Sequence, residues 1–329
     1  MGKKGRKSTF PAVPERLPVG IVDNHTHIYP DPVGEPAVSD DAAAPASSGA
    51  ATLPPVQKVS DDGEWRFPIL LDNLLLGMER AGVRAAITSG CEVPSLQYTV
   101  DLARRVPNVF AALAIHPNDA AMHAGVREVG PDGLAPREEP HFAISLDDAI
   151  AQVAALATDP NVVAVGETGL DYFRTGELGK AAQKESFRAH IALAKELGKP
   201  MQIHDRDAHD DVVEILLADG APERTVFHCF SGDIELARIC TEHGWYASFA
   251  GPLTYPVNED LQAAFDAMPD ELVLVETDAP YLTPVPYRGH PNAAWAVAYT
   301  ARYMAERRGV DLGEWCTRLD RNTTEVYGI

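Results

Sequence analysis

Eight short runs rich in β-forming residues recur along this 329-residue chain, and helical patterns separate them. The runs read VGIVDNHTH, RAAITSG, VFAALAIHP, VVAVGETG, PMQIH, TVFHCF, WYASFAG and ELVLVETD. Between them lie segments such as KAAQKESFRAHIALAKELGK, where Phe187, Ile191 and Ala194 mark one apolar face, and DDAIAQVAALATD, DDVVEILLADG and AAWAVAYTARYMAERRG. Strands that alternate with helices predict a parallel sheet with its faces covered. Eight repeats favour an α/β fold of the (β/α)8 TIM-barrel type over an open doubly wound sheet. No GxGxxG follows a strand, which weakens the dinucleotide-binding alternative.

In such barrels chemistry sits at the C-terminal ends of the strands, and the unusual residues of this chain fall there. The first run ends in His25 and His27, which project to one face because strand side chains repeat every second residue. The fourth ends in Glu167, the fifth in His204, the sixth in His228 and the eighth in Glu276 and Asp278. One such residue reads most simply as a polar strand end. Five strands delivering imidazole or carboxylate to one rim instead point to a divalent cation such as Zn, Mn, Fe or Mg. Six candidate ligands exceed the three protein ligands usual for one catalytic ion, so two ions fit better, with Glu167 able to bridge them. A hydroxide shared by such a pair is a nucleophile at neutral pH, and the cations offset charge on a phosphoryl oxygen. Asp23, one step deeper than the histidines, is expected to orient an imidazole.

Residues 1–18 carry Lys3, Lys4, Arg6 and Lys7 without an apolar signal-peptide core and read as a basic, disordered tail. Residues 19–329 read as one barrel domain with loop insertions at about 31–66 and 119–143, both lacking periodicity. No apolar run is long enough to cross a bilayer. The four cysteines show no CxxC spacing, which agrees with a reducing compartment. The expectation is a cytoplasmic protein with no membrane association and no obligate protein partner. A net charge of −20 argues against diffuse electrostatic binding of nucleic acid, though not against a substrate gripped locally by cations and a few arginines.

Taken together, DNHTHI, VGETGLDY, IHDRDA, VFHCFSG, ETDAPYLTP and YRGHPN resemble the TatD family of metal-dependent deoxyribonucleases, from about Gly20 to the closing NTTEVYG. That family is similar to the amidohydrolase-type barrels. The resemblance implies a two-metal hydrolase (Mg, Mn or Zn) that cleaves phosphodiester bonds in DNA, with single strands or frayed ends as the expected substrate. It implies that His25, His27 and Asp278 hold one ion, that His204 and His228 hold the other, and that Glu167 bridges them. Asp278 is then the candidate general base, and Glu276 is expected to hydrogen-bond a ligand. His116 in AIHPND matches the family's His-Pro motif and is expected to meet the scissile phosphate or a leaving oxygen, although Asn118 stands where the family often has a second histidine. Arg206 is a candidate phosphate contact, with a salt bridge to Asp205 or Asp207 as its alternative. Arg288, after the eighth run, is a further candidate contact to substrate.

The ligand set does not report the bond that is cut. An amidohydrolase, or a deacylase of D-aminoacyl-tRNA, would use the same dinuclear site. Many related barrels bridge their metals with a carbamylated lysine on the fourth strand; Glu167 in that place tilts the reading toward the TatD-like group. A non-catalytic scaffold is the third reading, and the full ligand set disfavours it.

Overall fold

The computed structural model describes residues 9–31 and 69–329. All eight expected strands form: β1 (Ile21–Thr26), β2 (Val83–Gly90), β3 (Val109–Leu113), β4 (Val162–Asp171), β5 (Met201–Arg206), β6 (Thr225–Phe227), β7 (Tyr246–Phe249) and β8 (Val273–Val275). They make one parallel sheet in sequence order. Just beyond β8 the chain meets β1 again. Asp278 N donates to His25 O at 3.0 Å, and His27 N donates to Ala279 O at 2.8 Å. The seam of the barrel therefore runs through two of the chemically distinctive runs, and it brings Asp278 beside the histidine pair.

Around the strands lie α1 (Leu71–Ala81), α2 (Val93–Arg105), α3 (Pro117–His123), α4 (Leu146–Leu156), α5 (Glu177–Leu197), α6 (His209–Asp219), α7 (Ile234–His243), α8 (Glu259–Ala267), α9 (Val297–Arg308) and α10 (Leu312–Tyr327). Their ends carry local signals. Ser145, Asp233 and Asp311 accept backbone N–H bonds in the first turns of α4, α7 and α10, satisfying donors that a helix cannot pair internally. The apolar face read from α5 is buried, with Phe187, Ile191 and Ala194 at most 1% exposed.

Strand alternation sorts the core into two layers. Ile21, Val83, Ala86, Val165 and Ile203 pack outward against the helices. Val22, Ala85, Ile87, Ala112, Ala164, Val226 and Leu274 fill the barrel interior, joined by Val326 and Tyr327 of α10. Above this apolar plug sits a polar layer of Asn24, Gln202, Ser248 and Glu276, each 0% exposed. The chemistry-bearing residues stand on top of it.

Two expectations about domain limits change. Residues 9–18 are not a free tail: Phe10 packs on Trp295 with ring centroids 5.7 Å apart. Trp295 Nε1 donates to Pro11 O at 3.2 Å, Tyr299 Oη to Ala12 O at 2.9 Å and Leu17 N to Ala81 O at 2.9 Å. Two apolar anchors, Phe10 and Leu17, hold a proline-rich extended segment against the barrel. The basic residues before it lie outside the described residues, as does the 31–66 insertion apart from Asp31. The 119–143 insertion is partly regular, since residues 119–123 belong to α3 and residues 140–143 form a 3-10 turn. Arg137 pins it by pairing with buried Asp119 and with Glu92, and Phe142 is buried beneath Arg127 and Arg137.

Candidate metal centre

Six residues from five strands converge on a single carboxylate. Glu167 Oε1 lies 2.6 Å from His204 Nδ1, 2.8 Å from His228 Nε2 and 3.4 Å from His116 Nε2. Its other oxygen, Oε2, lies 3.6 Å from His25 Nε2 and 3.7 Å from His27 Nε2. Asp278 Oδ1 closes the second group at 3.4 Å from His27 Nε2. Asp278 itself has φ 53°, a left-handed conformation uncommon for a residue with a side chain, as often found where a site fixes geometry at the expense of backbone strain. Gly169 does related work two residues past Glu167. Its φ is +143°, and a Cβ there would fall 2.1 Å from His204 O, so only glycine lets β4 and β5 approach this closely.

Two of the imidazoles are oriented from behind. Gln202 donates from Nε2 to Asn24 O at 2.6 Å and to Tyr327 Oη at 3.0 Å. Its Oε1 must then accept from His25 Nδ1, 3.0 Å away. That fixes the tautomer and leaves His25 Nε2 as a bare lone pair, buried and without a hydrogen-bond partner. A buried nitrogen of this kind, aimed at a carboxylate and a second imidazole, fits a divalent cation. His228 is held likewise: Glu276 Oε1 accepts from Nδ1 at 3.1 Å and turns Nε2 toward Glu167. His25, His27 and Asp278 offer ligand atoms within one cluster, and His25, Glu167 and His228 within another. A third joins His116, Glu167 and His204.

Three expectations about supporting residues need correction. Asp23 orients no imidazole. A register irregularity in β1 between Asp23 and Thr26 breaks the simple alternation, and Asp23 instead takes Thr277 N at 2.8 Å and Thr277 Oγ1 at 2.6 Å. Gln202 holds the imidazole in its place. Glu276 is no substrate contact: it is 0% exposed, and besides His228 it accepts from Cys229 N and Ser248 Oγ. The ligand it hydrogen-bonds is the candidate metal ligand His228. Arg288 stacks on Tyr255, 4.3 Å from the ring centroid, and lies outside the lining of the cavity over the site.

That cavity, about 1600 Å3, opens at the barrel mouth and is lined by His27, His116, Glu167, His204, Arg206, His228 and Asp278 among others. Arg206 packs over Phe173 with its guanidinium carbon 3.8 Å from the ring centroid, and the alternative of a salt bridge to Asp205 or Asp207 does not form. Asp205 pairs with His209 at 2.7 Å. His116 Nδ1 accepts from Asn118 N at 3.1 Å, which leaves the proton of the neutral ring on Nε2, facing the cavity. Burial pushes this imidazole below its ordinary pKa and keeps it neutral. Burial also opposes charge on Glu167, but His228, His116 and His204 hold its carboxyl well below the usual range. For His204 burial opposes protonation, yet Asp171 and Glu167 outweigh it and raise the imidazole to about 9.

Gln202 and Asp171 were not singled out from the sequence, and Asn118 was noted there only as a departure from the family pattern. Asp171 Oδ2 accepts from Asn118 Nδ2 at 3.0 Å and lies 3.2 Å from His204 Nε2. Thus Asn118, where a histidine is often found, serves as a link in the support of His204. Gln202 had one legible signal: it stands two residues before His204, on the same strand face.

A family model described as TatD related DNase matches residues 22–328. The uncharacterized metal-dependent hydrolase TatD of Mycobacterium tuberculosis is 40% identical over 253 residues, spanning 76% of this chain and 88% of its own length. The uncharacterized metal-dependent hydrolase YabD of Bacillus subtilis is 33% identical over 248 residues, 75% of this chain and 88% of its own. Among solved structures, a TatD-family hydrolase from Entamoeba histolytica aligns with a TM-score of 0.68 at 17% identity, covering 94% of this chain and 99% of that one. The TatD homologue YjjV of Escherichia coli gives 0.66 at 24% identity, covering 80% and 95%. At those identities the structures speak to the fold.

Proposed function

Because the chain belongs to the TatD family of metal-dependent hydrolases, we propose that it cleaves phosphodiester bonds of DNA, preferring single strands or frayed ends. The catalytic centre in this reading is dinuclear, with His25, His27 and Asp278 around one divalent cation, His204 and His228 around the other, and Glu167 between. The observation that carries it is the division of labour on Glu167, whose two oxygens face two different groups of imidazoles. Bound there, divalent cations supply an activated water and positive charge opposite a phosphoryl oxygen.

The remaining chemistry belongs to the chain. Asp278, Oδ1 3.4 Å from His27 Nε2, accepts the proton of the attacking water. His116 stabilises the departing oxygen with a hydrogen bond from Nε2–H while keeping that proton, its tautomer set by the Asn118 N–H. Arg206, braced on Phe173, offers a planar pair of N–H donors to a neighbouring phosphate. Gln202 and Glu276 keep His25 and His228 turned inward. The preference for unpaired strands follows from the site lying within the barrel-mouth cavity, since the bases of a duplex are stacked and paired.

Purified protein supplied in turn with Mg, Mn or Zn and incubated with end-labelled single-stranded DNA tests the reading. Shortened oligonucleotide, abolished by EDTA, is expected. Intact DNA alongside hydrolysis of model amides or of D-aminoacyl-tRNA by the same metal-loaded sample would overturn it.

A further inference from the structure

Two tyrosines stand beside the His27 imidazole and are not used by any step above. Tyr29 is 46% exposed and Tyr281 is 54% exposed, although both line the cavity over the site. The Tyr29 ring lies nearly parallel to His27, centroids 6.4 Å apart at 19°. The Tyr281 ring meets His27 edge-on at 6.3 Å and 70°.

The backbone under each ring is pinned. Ile28 N donates to Thr88 Oγ1 at 2.9 Å, immediately before Tyr29. Tyr281 N donates to Asp278 O at 2.9 Å, and Asn292 Nδ2 to Tyr281 O at 2.7 Å. One tyrosine therefore follows the histidine pair on β1 and the other follows Asp278, and the seam of the barrel sets them side by side. A large ring left half in water is commonplace singly. With one ring nearly parallel to His27 and the other nearly perpendicular to it, the two make an aromatic corner on the rim of a polar centre, where a flat ligand can stack on one ring with its edge against the other.

We propose that Tyr29 and Tyr281 form an angled stacking platform for the nucleobase next to the bond that is cut, one ring taking its face and the other its edge. This rests on the nuclease reading and adds to it what holds the substrate. A base hangs one sugar away from its phosphate, a reach comparable with the separation between these rings and His27. Every base presents a π-face, so the platform is indifferent to sequence. Only an unpaired base has that face free, so the platform selects single-stranded ends. It also supplies attraction that does not depend on positive charge, in a chain whose net charge is −20.

The test compares single-stranded oligonucleotides that differ only in bearing a base or an abasic sugar at the terminal nucleotide, made in both 5′ and 3′ series. With wild-type holoenzyme, removing the stacked base should raise KM about tenfold or more in one series. The double variant Tyr29→Leu, Tyr281→Leu should show that higher KM on the intact oligonucleotide and no further rise on the abasic one. Tyr29→Phe with Tyr281→Phe keeps both rings and should behave as wild type. A terminal 2-aminopurine joined by a slowly cleaved phosphorothioate reads stacking directly: quenched by wild type and the phenylalanine variant, unquenched by the leucine variant. Equal KM for base and abasic substrates in wild type, or a leucine variant impaired equally on both, would overturn the platform while leaving the nuclease intact. A wild-type protein inactive on every oligonucleotide would overturn both.

Discussion

Replacing Gln202 with leucine removes the group that sets the His25 tautomer. Gln202 is 0% exposed and makes three hydrogen bonds, to Asn24 O, Tyr327 Oη and His25 Nδ1. Each is worth about 1 kcal/mol net, and a buried partner left unpaired costs about 1–3 kcal/mol. Tyr327 Oη keeps a second bond, to Asn24 Oδ1 at 3.2 Å, but Asn24 O and His25 Nδ1 lose theirs. Apolar burial of the leucine returns part of this, so the expected loss is about 3 kcal/mol. The site should suffer separately, since freeing a ligand imidazole from its supporting hydrogen bond typically weakens metal binding by about 10–100-fold. Chemical denaturation of the metal-free protein measures the first effect, and competition with a chelator of known affinity measures the second. Gln202→Glu separates them: a carboxylate still accepts from His25 Nδ1 but cannot donate to Asn24 O. It should lose stability while keeping most of the metal affinity. A leucine variant that unfolds within about 1 kcal/mol of wild type and binds metal as tightly would refute the reasoning.

Glu167→Ala and Asp278→Asn should each abolish detectable turnover while circular dichroism stays that of a folded barrel; wild-type rates would sink the bridging and proton-accepting roles. Gly169→Ala should destabilise by about 2–4 kcal/mol on denaturation, because φ +143° and the His204 carbonyl leave no place for a methyl. His190 gives a pH dependence whose sign is fixed by burial, which lowers its pKa to about 4. Nδ1 donates to Ser186 O at 2.7 Å, and Nε2 accepts from Ile115 N at 3.1 Å. The unfolded chain binds the proton first, so this contribution is complete above pH 6.5 and lost as pH falls toward 4. Between pH 7.5 and 4.5 the loss attributable to His190 is about 2–3 kcal/mol. In His190→Gln the acid-side slope of unfolding free energy should shrink by that amount, and an unchanged slope would contradict the assignment.

The strands were legible because each is a compact apolar run with β-branched residues, and their C-terminal ends were legible because polar residues interrupt those runs at the same phase. The structure gathers these side chains in three overlapping groups, His25 with Glu167 and His228, His25 with His27 and Asp278, and His116 with Glu167 and His204. Less legible was everything set by register between distant strands. Asp23 was assigned by counting alternate residues, and an irregularity in β1 invalidates the count. Glu276 looked like a rim carboxylate, yet β8 ends at Val275 and the Glu276 side chain drops into the polar layer beneath the site. Gln202 and Asp171 act through partners more than thirty residues away in sequence, which local pattern cannot reveal. Residues 9–18 misled for the opposite reason: a basic start with no long apolar run suggested a free tail, while two apolar side chains suffice to dock its second half.

The hydrogen bond from Tyr327 to Asn24 joins residues 303 positions apart, and the Asp23–Thr277 pair spans 254. Contacts of such span form late, because the entropy of closing the chain must be overcome before they stabilise anything. The tautomer of His25 thus depends in part on α10 packing beneath β1. A partly folded chain can possess every ligand and still lack a centre of the right shape. Hydrolytic competence is in this way a report on completed folding, and an unfinished barrel is a harmless one.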